Sequence, residues 1–286
     1  MNFYSNTPEQ FSIVYDAFYP LLVKDKYVLI DGGAAGDVSQ PFYTAKDVVI
    51  GVRFEPRGEG EIVSSENGIF INGGLWSHDS TQTLHVAEVP FCSSICPPNE
   101  ALLSQFEERF GYPPRKTIEK REVPCRSIDS CVANGEIPLP NFIKLDVHSA
   151  ELPALEGAEN SLSECVGLLV EGWHSEVHSG QGLHHQVEGF ACEHGFEVFD
   201  NTGLMRWRHQ YNGEADLADR PQYVGSEMLF IKKDVPEHLL IKKAFTLALF
   251  KFGNAAKSAL DKLGTEEAKQ LIHAISQQQD KNRPKP

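Results

Sequence analysis

The chain alternates stretches of helical periodicity with short unbroken apolar runs, the pattern of an α/β protein. Apolar residues at Phe11, Ile13, Val14, Ala17, Phe18 and Leu21 predict a helix over Pro8 to Leu22. Tyr27 to Ile30 then forms an apolar run that ends at Asp31, as a strand buried on both faces of a parallel sheet would. Similar runs at Val48 to Phe54, Gly68 to Asn72, Asn141 to Asp146, Val166 to Glu171, Phe196 to Phe199 and Met228 to Ile231 predict further strands. Helical patterns occupy Asn99 to Phe110, Glu151 to Leu162 and Leu183 to Glu193, and Ser127 or Asp129 caps a short helix that stops near Gly135. Thr81 to Val89 and Glu122 to Ser127 read as extended, and Pro90 to Pro98 as a loop. After Pro236 the character changes: Leu239 to Phe252 and Ala255 to Ser276 predict two or three amphipathic helices separated by Gly253-Asn254. The expected organisation is a main domain over 1–236, a helical extension over 237–279 and a disordered tail over 280–286.

Candidate chemistry collects at strand ends. Asp31, Asp146 and Glu171 close three apolar runs and Glu55 follows a fourth, and the C-terminal edge of an open α/β sheet is where ligands bind. Asp31 leads into Gly32-Gly33-Ala34-Ala35-Gly36, whose glycines let the backbone turn sharply and approach a ligand. Glu55-Pro56, about twenty residues on, offers a carboxylate for a ribose diol. A pyrophosphate wants bare N–H groups and no carboxylate at the loop entrance, and the G-x-G-x-x-G spacing of dinucleotide sites is missing. S-adenosylmethionine carries a sulfonium and an ammonium and no phosphate, so Asp31 attracts it, directly or through water. The plainer reading is a tight strand-to-helix turn that binds nothing.

Composition narrows the partners. The 286 residues suffice for one sizeable core, and 41% hydrophobic with 23% charged residues is ordinary for a globular protein. A net charge of −14 argues against nucleic acid or an anionic membrane as the main partner. No apolar run reaches about 18 residues, no basic-then-apolar leader opens the sequence, and Lys242, Lys243 and Lys251 exclude a membrane-spanning reading of Leu239 to Phe252; the expectation is a cytoplasmic protein. Cys92, Cys96, Cys125, Cys131, Cys165 and Cys192 are scattered and expected reduced, and the first four are poorly spaced for structural zinc.

Ile30-Asp31-Gly32-Gly33-Ala34-Ala35-Gly36, Phe54-Glu55-Pro56, Ile143 to Glu151 with Leu155-Glu156-Gly157-Ala158, and Leu169-Val170-Glu171 together resemble the ordered motifs of FkbM-type methyltransferases. The resemblance covers roughly residues 25–235. It implies a class I methyltransferase fold, a seven-stranded, mostly parallel sheet with helices on both faces and an antiparallel last strand. It also implies S-adenosylmethionine as methyl donor, and a hydroxyl acceptor on a sugar, glycan or natural product. Donor-site residues carried over are Asp31, Gly32, Gly33, Ala34, Gly36, Glu55, Pro56 and Asp146. The chain departs from the family pattern at Ala35, commonly Asn, and at His148-Ser149, where Glu or Gln and then Gly are usual.

Methyl transfer to a hydroxyl is helped by a base within hydrogen-bond reach. His148 is the first choice, against the plainer reading that it caps the next helix or sits in solvent. Asp146 would orient that base or bind the donor's amino-acid end, and Glu151 could buttress the loop. His174 is a further candidate on the acceptor side. In Trp173-His174-Ser175-Glu176-Val177-His178 the two histidines would share one face of a helix, and with Glu171 or Asp146 could hold a divalent metal. Gly180 and Gly182 make this segment read as a loop instead, so no metal is assigned. Two other functions compete with an O-methyltransferase: a catalytically silent donor-binding scaffold, and an NAD-dependent oxidoreductase. The C-terminal helical stripes would pack on the protein itself or form a homodimer interface.

Overall fold

The structure is a computed structural model that describes residues 7–33, 38–56, 63–65 and 68–283. Helix α1 (Pro8–Leu22) starts at a capping box: the Gln10 N–H donates to Thr7 Oγ1, the Thr7 N–H donates to Gln10 Oε1, and Pro8 opens the first turn. The chain then enters β1 (Tyr27–Gly32), β2 (Val49–Phe54), β3 (Val63–Ser65), β4 (Gly68–Ile71), β5 (Gly74–Leu75) and β6 (Ser80–Ala87). Short helices α2 (Glu100–Leu103) and α3 (Tyr112–Arg115) lead to β7 (Thr117–Arg126) and α4 (Ile128–Ala133). Next come β8 (Phe142–Leu145), α5 (Glu151–Glu156), β9 (Gly167–Trp173) and α6 (His184–Glu193). The long strands β10 (Phe196–Trp207) and β11 (Gln222–Lys232) precede α7 (Leu240–Leu249), α8 (Gly253–Asp261) and α9 (Glu266–Asn282).

The main sheet runs β10-β11-β9-β8-β1-β2-β4-β3. The pairs β1–β2, β1–β8, β2–β4 and β8–β9 are parallel, and the last strand, β11, is antiparallel to both neighbours. Seven of these strands make the mostly parallel α/β sheet that the motifs imply, and the three-residue β3 adds an antiparallel edge. Strand β1 shows why its sequence is apolar without alternation. Tyr27 and Leu29 enter one core, while Val28 and Ile30 enter another on the opposite face. The first core joins the sheet to α1 and to the C-terminal helices through Phe11, Phe18, Tyr27, Phe142, Phe245 and Leu271, and the second joins it to α4, α5 and α6.

The apolar stripes of α7 to α9 are thus buried within the chain. Their lysines find partners at the margin: Lys242 Nζ donates to Asp25 at 2.8 Å, and Lys243 Nζ to the carbonyls of Lys232 and Lys233. Helix α9 continues through Asn282, past the expected start of a disordered tail at 280, because Asn282 Nδ2 and Lys281 Nζ donate to the carbonyls of Gln10 and Glu9. No helix of the described residues is long and apolar enough to cross a membrane.

Two expectations for helices shorten. The Asn99 to Phe110 pattern yields only α2, since Phe106 leaves the helix to pack edge-on against Trp207 at 5.4 Å. The Glu151 to Leu162 pattern stops at Glu156, where a Cβ on Gly157 would lie 2.2 Å from the Trp76 carbonyl oxygen. A second sheet, β5-β7-β6, pairs extended segments that the sequence pattern leaves separate. Through Gly74, Leu75 and Leu84 it helps wall the site described next.

Candidate functional site

At the C-terminal ends of β1, β2 and β8 lies a cleft, at the edge of the sheet where α/β proteins bind ligands. Gly33, Glu55, Pro56, Asp146 and His148 face it, together with an apolar wall of Phe54, Leu75, Leu84 and Ile95. Gly33 is required at its position. Its φ is +80°, and a Cβ there would lie 2.0 Å from the Asp146 carbonyl oxygen, so bare backbone is what lets the β1 turn meet the end of β8. The Gly33 N–H donates to the Phe54 carbonyl at 3.1 Å, and the Asp146 N–H to the Gly32 carbonyl at 3.3 Å. Gly32 is similarly tight, with Leu75 Cδ1 2.8 Å from where its Cβ would be. Ala34 and Gly36 lie outside the described residues.

Asp31 has a different place from the one its sequence position suggests. It is 1% exposed, and its oxygens accept from Lys144 Nζ at 3.2 Å and from the Ser39 N–H at 3.3 Å. It anchors the far side of the turn and is not among the cleft-lining residues. Lys144 stands one residue short of the end of β8 and also lies 3.9 Å from Asp146. Burial acts to lower the Lys144 pKa, but Asp31 and Asp146 outweigh it and hold the pKa above its usual value.

The strand-end acids converge with His148. Asp146, His148 and Glu171 each bring one oxygen or nitrogen within 4.8 Å of the others. His148 Nδ1 is 3.3 Å from Glu171 Oε2, out of line for a hydrogen bond, so the contact is electrostatic. Burial alone would lower the His148 pKa, yet Glu171, Asp146 and Glu151 outweigh it and raise it to about 10. At neutral pH the ring is therefore an imidazolium, which has no free nitrogen to take a proton. That charge favours another group for the part of general base.

His148 and Ser149 both take positive φ, +51° and +130°, a cost borne by Glu151. Glu151, 2% exposed, accepts from the Val147 N–H at 3.0 Å with Oε1 and from the Ser149 N–H at 2.9 Å with Oε2. It buttresses the loop from the first turn of α5 and is a positioning residue. Burial, then the nearby Glu171, push its pKa up. Ser149 and Ser94 share a hydroxyl hydrogen bond, and the Cys96 N–H donates to Ser94 Oγ at 3.1 Å, which ties the Pro90 to Pro98 loop to the cleft.

His174 does not join this group. Strand β9 runs on through Trp173, whose indole N–H donates to Glu171 at 3.0 Å, and the chain then bends instead of forming a helix. His174 stacks on His184 at 4.1 Å, whereas His178 is buried beneath the bridge between Pro98 and itself. The segment is a loop, as Gly180 and Gly182 predict, and His174 and His178 share no helical face. A second, open cleft lies on the other side of Glu171 and is lined by Lys144, Asn201, Thr202 and Glu227. Burial, followed by Asp146, raises the Glu227 pKa. The sequence reading passed over Glu227, which sits inside β11 rather than at a strand end.

The lining of the first cleft suits S-adenosylmethionine. Two carboxylates, a bare glycine turn and an apolar slot match a cation-bearing nucleoside without phosphate, and no Lys or Arg among the described residues lines the cleft to hold a pyrophosphate.

The family model for the methyltransferase FkbM domain matches residues 35–198. Among solved structures, the chain is similar to methyltransferase FkbM from Methylobacillus flagellatus KT, at 14% identity over 72% of this chain and 44% of that one, with a TM-score of 0.35. It is also similar to magnesium protoporphyrin IX methyltransferase from Synechocystis PCC 6803 with bound SAM, at 13% identity over 81% of this chain and 88% of that one, with a TM-score of 0.31. The chain thus spans less than half of the length of the first of these. No curated protein matches it.

Proposed function

The chain belongs to the FkbM methyltransferase family, and from that premise we propose that it is an O-methyltransferase acting on a hydroxyl of a sugar, glycan or natural product. S-adenosylmethionine supplies an electrophilic methyl on a sulfonium, whose loss leaves a neutral thioether. Glu55 binds the ribose diol, Pro56 shapes that rim, and Gly32 and Gly33 keep the backbone bare against the donor. Asp31 acts one step back, holding the turn through Ser39 and Lys144.

The acceptor reaches the reacting methyl from the side of Glu171 and the second cleft, whose amide, hydroxyl and carboxylate side chains suit a polyhydroxylated molecule. Its hydroxyl proton passes to Asp146, the most open member of the trio, with 40% of its side chain exposed. His148, charged and held by Glu171, steers the acceptor oxygen. Glu151 keeps the loop in the conformation that presents His148.

The observation that carries this reading is the acidic, glycine-floored cleft. Its test is transfer of a labelled methyl from S-adenosylmethionine to a panel of hydroxylated sugars. Label in an ether product that Asp146→Asn abolishes is the expected result. The charged state of His148 also fits a donor-binding scaffold without transfer, and donor binding with no labelled product across the panel would select that alternative.

A further inference from the structure

We propose that Asp146, His148 and Glu171 form a site for one divalent first-row cation of the Mn²⁺ type, where the donor cleft meets the second cleft. The three side chains come from the end of β8, the loop after it and β9, so the sheet itself brings them together. One ligand-type atom from each lies within 4.8 Å of the others. Two ligands on opposite sides of a metal ion stand about 4 Å apart, at about 2 Å from the ion each. Small side-chain rotations therefore close the group around one ion.

A second observation points the same way. His148 Nδ1 is buried and has no hydrogen-bond partner, although it stands 3.3 Å from Glu171 Oε2. A buried ring nitrogen without a partner is costly unless something occupies the space it faces. The outer contacts of the trio are those that orient metal ligands: the Trp173 indole N–H holds Glu171 Oε2 at 3.0 Å. Lys144 is engaged by Asp31 at 3.2 Å and lies farther, 3.9 Å, from Asp146.

Side-chain exposure rises from 9% at Glu171 through 23% at His148 to 40% at Asp146, so the group is closed behind and open toward the donor cleft. An ion held there keeps coordination positions free on the open side. Binding the ion requires the His148 ring to give up its Nδ1 proton to solvent, the ion's charge replacing that of the imidazolium beside Glu171 and Asp146; one imidazole with two carboxylates is then a mixed set that suits Mn²⁺ or Zn²⁺. With the ion bound and Asp146 engaged as its ligand, an acceptor oxygen on the free position would be polarised and would lose its proton to solvent instead of to Asp146, its lone pair forming the new bond to the methyl as the carbon–sulfur bond breaks and leaves the neutral thioether. This role in catalysis rests on the transferase reading; the existence of the site does not.

The test is titration of the full chain with Mn²⁺, without donor or acceptor, read from the electron paramagnetic resonance signal of the free ion. The expected result is one ion per chain with micromolar affinity, displaced by Zn²⁺. Glu171→Gln and His148→Gln should each weaken it at least tenfold, with folding checked by circular dichroism, and His174→Gln should leave it unchanged. Absence of stoichiometric binding of both ions overturns the proposal. So does binding that survives both Glu171→Gln and His148→Gln in folded protein, or binding lost in His174→Gln. Metal binding without methyl transfer would leave the site standing and remove the transferase reading, whereas transfer by a chain that binds neither ion would do the reverse.

Discussion

Replacing Gly33 by alanine tests the floor of the donor cleft. The new Cβ would lie 2.0 Å from the Asp146 carbonyl oxygen, against 3.4 Å or more for an ordinary contact, so β1 and the end of β8 must part by more than 1 Å. Two costs add. Holding a non-glycine residue at φ +80° costs roughly 1–2 kcal/mol, and forcing backbone apart in a packed region costs about 1–3 kcal/mol more. Gly135 is the control, because its φ is +70° and nothing lies within 4 Å of a Cβ built there. Urea unfolding should therefore show a loss of roughly 2–5 kcal/mol for Gly33→Ala and only about 1–2 kcal/mol for Gly135→Ala. Because the displaced residue is Asp146, Gly33→Ala should also weaken S-adenosylhomocysteine binding at least tenfold by calorimetry, while Gly135→Ala leaves it unchanged. Equal effects of the two substitutions on both stability and affinity would refute the claim that this close approach builds the site.

Glu55→Ala should weaken S-adenosylhomocysteine binding by roughly 10- to 150-fold, the worth of a hydrogen bond to a charged group, with an unchanged melting temperature; unaltered affinity would remove Glu55 from the site. Lys144→Met leaves Asp31, 1% exposed, without its cation and should destabilise the fold by about 3–5 kcal/mol in urea, whereas a shift within error would mean the pair is dispensable. Burial, then the charges of His148 and Arg115, lower the His178 pKa from 6.5 to about 3. Since the folded value lies below the unfolded one, its contribution is complete above pH 6.5 and is lost as pH falls toward 3, roughly 5 kcal/mol in all. His178→Leu should flatten that part of the pH–stability curve, and an unaltered slope between pH 6.5 and 3 would contradict it.

Much of the architecture was legible because both faces of the sheet are covered. An unbroken apolar run such as Tyr27 to Ile30 has only one stable use, and helix α1 was readable to the residue because Thr7, Pro8 and Gln10 state its start locally. What stayed hidden depends on contacts between distant segments. The early end of α5 follows from Gly157 meeting Trp76, and the withdrawal of Asp31 from the cleft follows from Lys144, 113 residues away. The acids at 31, 55, 146 and 171 were visible as strand ends, but strand ends alone do not tell a carboxylate that faces ligand from one that holds a turn. His148 was found from its position two residues past Asp146; its charge was not, because that depends on Glu171 from a neighbouring strand. The loop around His174 and His178 was legible from Gly180 and Gly182, whereas the run of β9 through Trp173 that precedes it depends on the contact with Glu171.

Isothermal titration with S-adenosylhomocysteine, with NADH as the control titrant, tests the central claim most directly. The account predicts one micromolar site for S-adenosylhomocysteine and no heat from NADH. No binding of S-adenosylhomocysteine, or binding of NADH in its place, would contradict it.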